Sequence, residues 1–423
     1  MGAQTERIFT FPATNLKFGP GALDEIGSDI AALAVQRALL VTDPNLIEAG
    51  HAERAMAAIQ RAGVEVVMFD GTRIEPDTGS LRKAAEAARD AGVDGYVSLG
   101  GGSCIDTAKV ANLLARNPGK IEDYINPPLG DGRQPEVKLN PHVAVPTTAG
   151  TGAESTTVAA VEMPEHRVKS GISSHSLRPT MAILDTQLTA TLPPAVAAAS
   201  GLDVICHAAE SFTSLPFYRR APAESPAARP PYQGANPLSD VWAERALELG
   251  GHYLRRAVHS PDDYEAREAM LLAATAAGVG FATAGVHIPH ACSYPVAGLR
   301  HDRLPRGYNA SHPFIPHGQA VAVTAPATFR FTYQACPERH DRAAQLLTGR
   351  EGATGPNALA DALAELIADV GMPRNLAELG YSHTDLDILA EAAMEQHRLI
   401  SGSPRSTSLD DVREILGASL YEA

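Results

Sequence analysis

Asp203 and His207 stand four positions apart in GLDVICHAAES (201–211), a stretch made mostly of small and apolar residues. On a helix that spacing puts a carboxylate oxygen and an imidazole nitrogen on one face, one turn apart. They can meet one ion there, or bond each other and the backbone. Two further imidazoles have similar surroundings: His290 in GVHIPHACSYP (285–295) and His317 in HPFIPHGQAVAV (312–323). Each lies among small residues punctuated by Pro and Gly, where a bulky polar ring needs a reason. One carboxylate with three neutral imidazoles is a mixed oxygen and nitrogen donor set that suits Fe²⁺ or Zn²⁺. His287 and His312 compete for the same roles, and spacing alone leaves a structural pairing open.

A second kind of chemistry is written in two loops. After the β-rich run DGYVSLG (94–100) come Gly101, Gly102 and Ser103, then a helical pattern. Strand, glycines and helix make a phosphate-binding architecture, because bare backbone lets an anion approach the unpaired N–H groups at a helix start. Ser103 is the expected N-cap. The acidic Asp43, ending ALLVTD, precedes the glycines, whereas in GxGxxG fingerprints the acidic residue follows them. Past the strand HVAVP, VPTTAGTGAEST (145–156) sets Thr147, Thr148 and Thr151 among small residues. Their hydroxyls suit a phosphate or a ribose, or bonds to their own loop.

The elements that must carry these residues fall into two halves. From about residue 38 to 146, β-rich runs alternate with Ala-rich amphipathic stretches, the rhythm of βαβ units around a parallel sheet. RPTMAILD closes this half, and the composition then shifts to Ala-rich helical segments. The reading is an α/β domain over 1–198 and an all-α domain over 199–423 that carries the metal and substrate sites. A Pro- and Arg-rich segment from 215 to 240 interrupts the helices and is read as a functional loop.

Composition narrows the partners. The 423 residues carry a formal net charge of -14, which disfavours nucleic acid and anionic membranes, since both need basic patches. An anionic substrate therefore needs local Arg or Lys. The four cysteines show no CxxC pair or scaffold spacing, so a reducing compartment, the cytoplasm, is expected. The N-terminus reads as neither a secretory signal nor an anchor.

GGGSCID (100–106), VPTTAGTGAE (145–154), DVICH (203–207), HACSYP (290–295) and PHG (316–318) occur in the order found in the iron-containing, group III alcohol dehydrogenases. The chain resembles that family from about residue 14 to the C-terminus. TNLKFGPG (14–21), YQGANPLSD (232–240), HSPDDYEAR (259–267), GVHIPH (285–290), YNASHPFIPHG (308–318) and CPERH (336–340) are most similar to the branch that transfers hydride from hydroxyacids to oxoacids.

The resemblance implies a Rossmann-like, dehydroquinate synthase-like α/β domain followed by the helical one. It implies Asp203, His207, His290 and His317 as ligands of Fe²⁺, or alternatively Zn²⁺. It further gives Gly101, Gly102 and Ser103 to the pyrophosphate of NAD, Thr147 and Thr148 to its nicotinamide half, and Lys169 to the ribose. Asp43 falls where a ribose 2′-hydroxyl is accepted, and its charge favours NAD over NADP. Many members have a His four positions after the one matched by His290, assigned to proton relay. Here that position is Tyr294, so Tyr294, His287 or a water chain takes the role.

The expected reaction moves hydride through tightly bound NAD from a 4-hydroxybutyrate-like hydroxyacid to a 2-oxoglutarate-like 2-oxoacid. Arg220 and Arg229 are the candidate clamp for the substrate carboxylate, with Arg306 next. Rival readings are an NAD(H)-consuming alcohol dehydrogenase or aldehyde reductase and, more remotely, a dehydroquinate synthase-type lyase. A homo-oligomer acting on small molecules is expected.

Overall fold

The computed structural model describes residues 5–165, 168–300, 302–310 and 312–421. The chain forms two compact units. One comprises Ala13–Leu192 with Asn309–Ser311, the other Met1–Pro12, Pro193–Tyr308 and His312–Ala423.

The first unit is built on eight strands: β1 (Asn15–Phe18), β2 (Arg37–Val41), β3 (Glu65–Phe69), β4 (Gly95–Gly100), β5 (His142–Pro146), β6 (Val158–Met163), β7 (Val168–Ser173) and β8 (Met181–Leu184). Six form one sheet in the order β1-β8-β5-β4-β2-β3, every neighbouring pair parallel. β4 and β5 are buried along their whole length, and apart from the buried pair Ser98 and His142 they read as apolar runs. The chain reverses direction of travel across the sheet at β2, with β3 on one side and β4 on the other. Ligands of such sheets sit outside the carboxyl ends of the strands at this switch point. Asp43 follows β2 and Gly101–Ser103 follow β4, so the expected cofactor residues flank it. β6 and β7 make a separate antiparallel hairpin that carries Lys169 and that the sequence reading did not foresee.

The second unit is helical. The helix Pro194–Thr213 is buried on all sides from Gly201 to Thr213, consistent with its apolar, small-residue composition. Pro237–His259, Tyr264–Ala284, His317–Ala322 and Pro337–Thr348 pack against it, and His290 of Ile288–Gly298 reaches its side chains. Glycines permit the close approaches: a Cβ at Gly201 would lie 2.2 Å from Leu254 Cδ1, and one at Gly250 2.7 Å from Ile205 Cγ1.

The compact units divide the chain differently from 1–198 and 199–423. The 194–213 helix is one continuous rod starting at Pro194 and cannot be cut at 198. The N-terminal segment joins the helical unit, where Thr10 N–H donates to Gln233 Oε1 at 2.9 Å and Glu6 N–H to the Arg220 carbonyl at 2.9 Å. Nor is 215–240 one open loop: Phe217 N–H donates to the Ala235 carbonyl, Ala235 N–H to Leu215, and Asn236 caps the helix that begins at Pro237. Among the described residues no single helix is long and apolar enough to cross a membrane.

Candidate functional site

In the helical unit one carboxylate oxygen gathers three imidazoles. Asp203 Oδ1 lies 3.8 Å from His207 Nε2, 3.5 Å from His290 Nε2 and 4.0 Å from His317 Nε2. Ligands about 2.1 Å from one tetrahedral ion stand about 3.4 Å from each other, so these spacings fit a shared cation and are long for hydrogen bonds. Asp203 Oδ1 and His290 Nε2 are sealed from solvent and hydrogen-bonded to nothing. Buried polar atoms left without partners are expensive unless something outside the protein satisfies them. Among the described residues, ligand atoms of Asp203, His207 and His290 lie within 4.8 Å of one another. The donor set therefore fits a divalent transition metal. His317 is the most open of the four, its side chain 25% exposed against 5% or less for the others.

Each of the four side chains is placed by packing. Asp203 and His207 sit one turn apart on the 194–213 helix, as their spacing predicts. Phe281 stacks on the His207 ring at 4.1 Å and 9°, shielding it from water. His317 opens its own helix, and the next residue, Gly318, brings that helix against the first: a Cβ at Gly318 would lie 1.9 Å from the Ala199 carbonyl oxygen. The glycine of PHG is there because nothing larger fits.

Glu210 is the residue the sequence reading missed, although it stands in the same stretch as Asp203. Fully buried, it accepts the His290 Nδ1–H at 2.6 Å through one oxygen and the His287 backbone N–H at 2.6 Å through the other. That fixes His290 with Nε2 toward the other ligands, the carboxylate–histidine arrangement that orients metal sites. Its signal in the sequence was a carboxylate three residues past His207 on the same buried face.

The electrostatics follow from burial and from these carboxylates. Burial pushes His207 down to about 3, so it is neutral and able to donate a lone pair. Burial also opposes charge on His290, but Glu210 and Asp203 outweigh it and raise the ring to about 9. Burial pushes Asp203 up, yet His207, His317 and His290 hold it below the ordinary carboxylate range. His287 is fully enclosed, lowered to about 4 by burial, with Nε2 3.2 Å from Thr213 Oγ1. Tyr294 is buried too, its ring 6.4 Å from that of His317. Arg220 and Arg229 line a small cavity of about 50 Å³ with Glu6, whose Oε2 is 3.6 Å from Arg229 Nε. Arg306 and His312 lie elsewhere in that unit, Arg306 on the wall of a larger cavity of about 800 Å³.

In the sheet unit the two expected loops touch. A Cβ at Gly102 would fall 2.6 Å from Thr151 Cγ2, and one at Gly101 3.2 Å from Thr148 Cγ2, so bare backbone is required where the loops meet. The helix Gly102–Arg116 is capped by Gly101, with no side chain accepting from its first N–H groups, a start suited to an anion. This corrects the expectation that Ser103 is the N-cap. It lies inside the first turn instead, and its Oγ accepts the Glu75 N–H at 3.2 Å. Glu75 also meets Lys169, Nζ to Oε2 at 2.6 Å, so one unforeseen carboxylate joins two expected cofactor residues. Asp43 accepts the Asn45 N–H at 2.9 Å as a helix cap and keeps its other oxygen 3.6 Å from the Cys104 thiol.

Comparison with known proteins extends over nearly the whole chain. The family model described as iron-containing alcohol dehydrogenase matches residues 13–186, and that described as Fe-containing alcohol dehydrogenase family, C-terminal, matches 232–420. The mitochondrial hydroxyacid-oxoacid transhydrogenase of Rattus norvegicus is 41% identical over 99% of this chain and 91% of its own length. A crystal structure of 1,3-propanediol oxidoreductase is similar at TM-score 0.84 and 29% identity, covering 98% of this chain and 100% of the other. A sulfoacetaldehyde reductase from Bifidobacterium kashiwanohense in complex with NAD⁺ is similar at TM-score 0.81 and 27% identity, covering 98% and 99%.

Proposed function

The chain belongs to the iron-containing alcohol dehydrogenase family of oxidoreductases, and we propose that it carries hydride from a hydroxyacid to a 2-oxoacid through an NAD that stays bound during turnover. The observation that carries the metal half of this reading is the convergence of three Nε2 atoms on one orphaned oxygen of Asp203. The choice of reaction is supported by the full-length similarity to a protein named for it.

A divalent ion, Fe²⁺ or Zn²⁺, held by Asp203, His207, His290 and His317 supplies Lewis acidity that makes a substrate hydroxyl easier to deprotonate. NAD supplies the hydride acceptor. The protein's own share is positional. Glu210 accepts a hydrogen bond from the Nδ1–H of His290 and so presents Nε2 to the ion. Tyr294 stands beside His317 on the helix of His290 and is proposed to pass on the hydroxyl proton, with His287 as the alternative. In the sheet unit the Gly101–Ser103 turn is proposed to hold the pyrophosphate, Thr147 and Thr148 the nicotinamide half, and Lys169, steered by Glu75, the ribose. Asp43 selects NAD, since its charge repels a 2′-phosphate.

The four cysteines are unpaired, in keeping with a reducing compartment, and the cytoplasm and a homo-oligomeric state are proposed for this chain. The deciding experiment supplies Fe²⁺-loaded protein with 4-hydroxybutyrate and 2-oxoglutarate and no added nucleotide. Many turnovers of succinic semialdehyde and 2-hydroxyglutarate are expected. Turnover only when free NAD is added would replace the proposal with an NAD(H)-consuming alcohol dehydrogenase.

A further inference from the structure

A hydroxyacid site in a protein of net charge -14 needs a cation that is not already neutralised. Arginines of the helical unit mostly face carboxylates: Arg339 with Asp240, Arg255 with Asp369, Arg256 with Asp263, and Arg229 with Glu6. Arg398 differs. Its Nη1 is sealed from solvent without a hydrogen-bond partner, and among the described residues no carboxylate pairs with it. What faces its guanidinium are two tyrosines, Tyr232 and Tyr294, and its central carbon lies 4.7 Å over the Tyr232 ring.

Stacking on an aromatic face steadies the cation, and the two tyrosines that face the guanidinium leave its Nη1 unpartnered. A guanidinium nitrogen enclosed without a partner is costly, and an anionic ligand removes that cost. The position is also suited to the chemistry. Arg398 lies on the short helix His397–Ile400, which packs on the Ile288–Gly298 helix that carries His290 and Tyr294. A Cβ at Gly402 would be 2.9 Å from the Val286 carbonyl and 3.7 Å from His287 Cβ, so this segment rests on the start of that helix. Tyr232 is pressed against the turn before it: Gly285, at φ +84°, would place a Cβ 2.9 Å from the Tyr232 ring. Tyr294 in turn neighbours His317.

We propose that Arg398, seated on Tyr232 and beside Tyr294, binds the substrate carboxylate while the reacting end of the same molecule lies at the Asp203 centre. This rests on the hydroxyacid reading above. In 4-hydroxybutyrate and in the distal half of 2-oxoglutarate, the carboxylate is two methylenes from the reacting carbon. One fixed guanidinium can therefore serve donor and acceptor in turn.

The test uses the full-length, metal-loaded protein and two readouts. Butyrate, which has the carboxylate and no reacting group, is titrated by calorimetry. The kcat/KM for 4-hydroxybutyrate is then compared with that for butan-1-ol. Loss of a charge-assisted hydrogen-bonded pair corresponds to roughly 10- to 100-fold. Arg398→Met is expected to weaken butyrate binding and lower the acid-over-alcohol preference by about that factor, and Arg398→Lys, which keeps charge but not the fork, by less. Arg220→Ala and Arg229→Ala are run alongside. Butyrate binding equal in wild type and Arg398→Met, or a loss confined to Arg220→Ala or Arg229→Ala, would overturn the assignment while leaving hydride transfer between acids intact. Butyrate binding through Arg398 in a protein that only consumes free NAD would uphold it and reject the transhydrogenase reading.

Discussion

Glu210 shows how much one buried side chain decides. Its two oxygens each take an N–H, one from the His290 ring and one from the backbone that precedes it, so it sets both where the ligand helix begins and which nitrogen His290 presents. Glu210→Gln keeps the shape but turns one acceptor into a donor, opposing an N–H that has no other partner. Metal affinity is expected to fall about 10- to 100-fold. Competition with a fluorescent chelator measures it, alongside far-UV circular dichroism to confirm the fold. Affinity unchanged in a folded variant would mean that packing alone orients His290. Arg229 teaches the converse: in sequence it is a cation in a loop, but in the fold it already faces Glu6.

At the level of elements, the site depends on how closely helices approach. His317 reaches Asp203 because the helix it opens lies on the 194–213 helix at Gly318, where a side chain would meet the backbone carbonyl of Ala199. Backbone cannot yield as a flexible side chain can, so Gly318→Ala must push the helices apart. The expected cost is about 1–3 kcal/mol of stability together with a fall in bound metal. Thermal denaturation with and without Fe²⁺ and metal analysis of the purified variant check both. Full metal content at an unchanged melting temperature would show that His317 is placed by some other contact.

For the molecule as a whole, acid stability is set by histidines kept neutral in the fold. His142, at the start of β5, is buried, with Nε2 2.8 Å from Ser98 Oγ on the neighbouring β4. Burial, aided by Lys109, lowers it from 6.5 to about 3. Between those values the unfolded chain binds the extra proton, so stability falls as pH drops below about 6.5, by at most about 1.4 kcal/mol per pH unit. Moving from pH 7.5 to 5.0 draws about 2 kcal/mol from this group. His142→Gln keeps a polar tip for Ser98 and removes the titration, so its melting temperature should drop less than wild type over that interval. Equal drops would place the acid sensitivity elsewhere.

The parallel-sheet and helical fold class and the pairing of Asp203 with His207 were legible in the chain because their signals are local. Strands buried on both faces leave continuous apolar runs, a helix places Asp203 and His207 four apart, and glycines mark where strands end and anions approach. The family resemblance then joined the remaining motifs in order. What stayed hidden depends on distances between residues far apart in sequence. Glu210 and His290 are 80 positions apart, and nothing in either stretch states that they meet. Arg398, on its short helix, belongs to no pattern that periodicity or motif could single out. Its lack of a counter-charge exists only once every neighbour is in place, because the cost of a buried ion is a property of its surroundings. The sequence by itself determined which residues could do the chemistry. The tertiary structure decided which of them face one another, and which guanidinium nitrogen is enclosed without a partner.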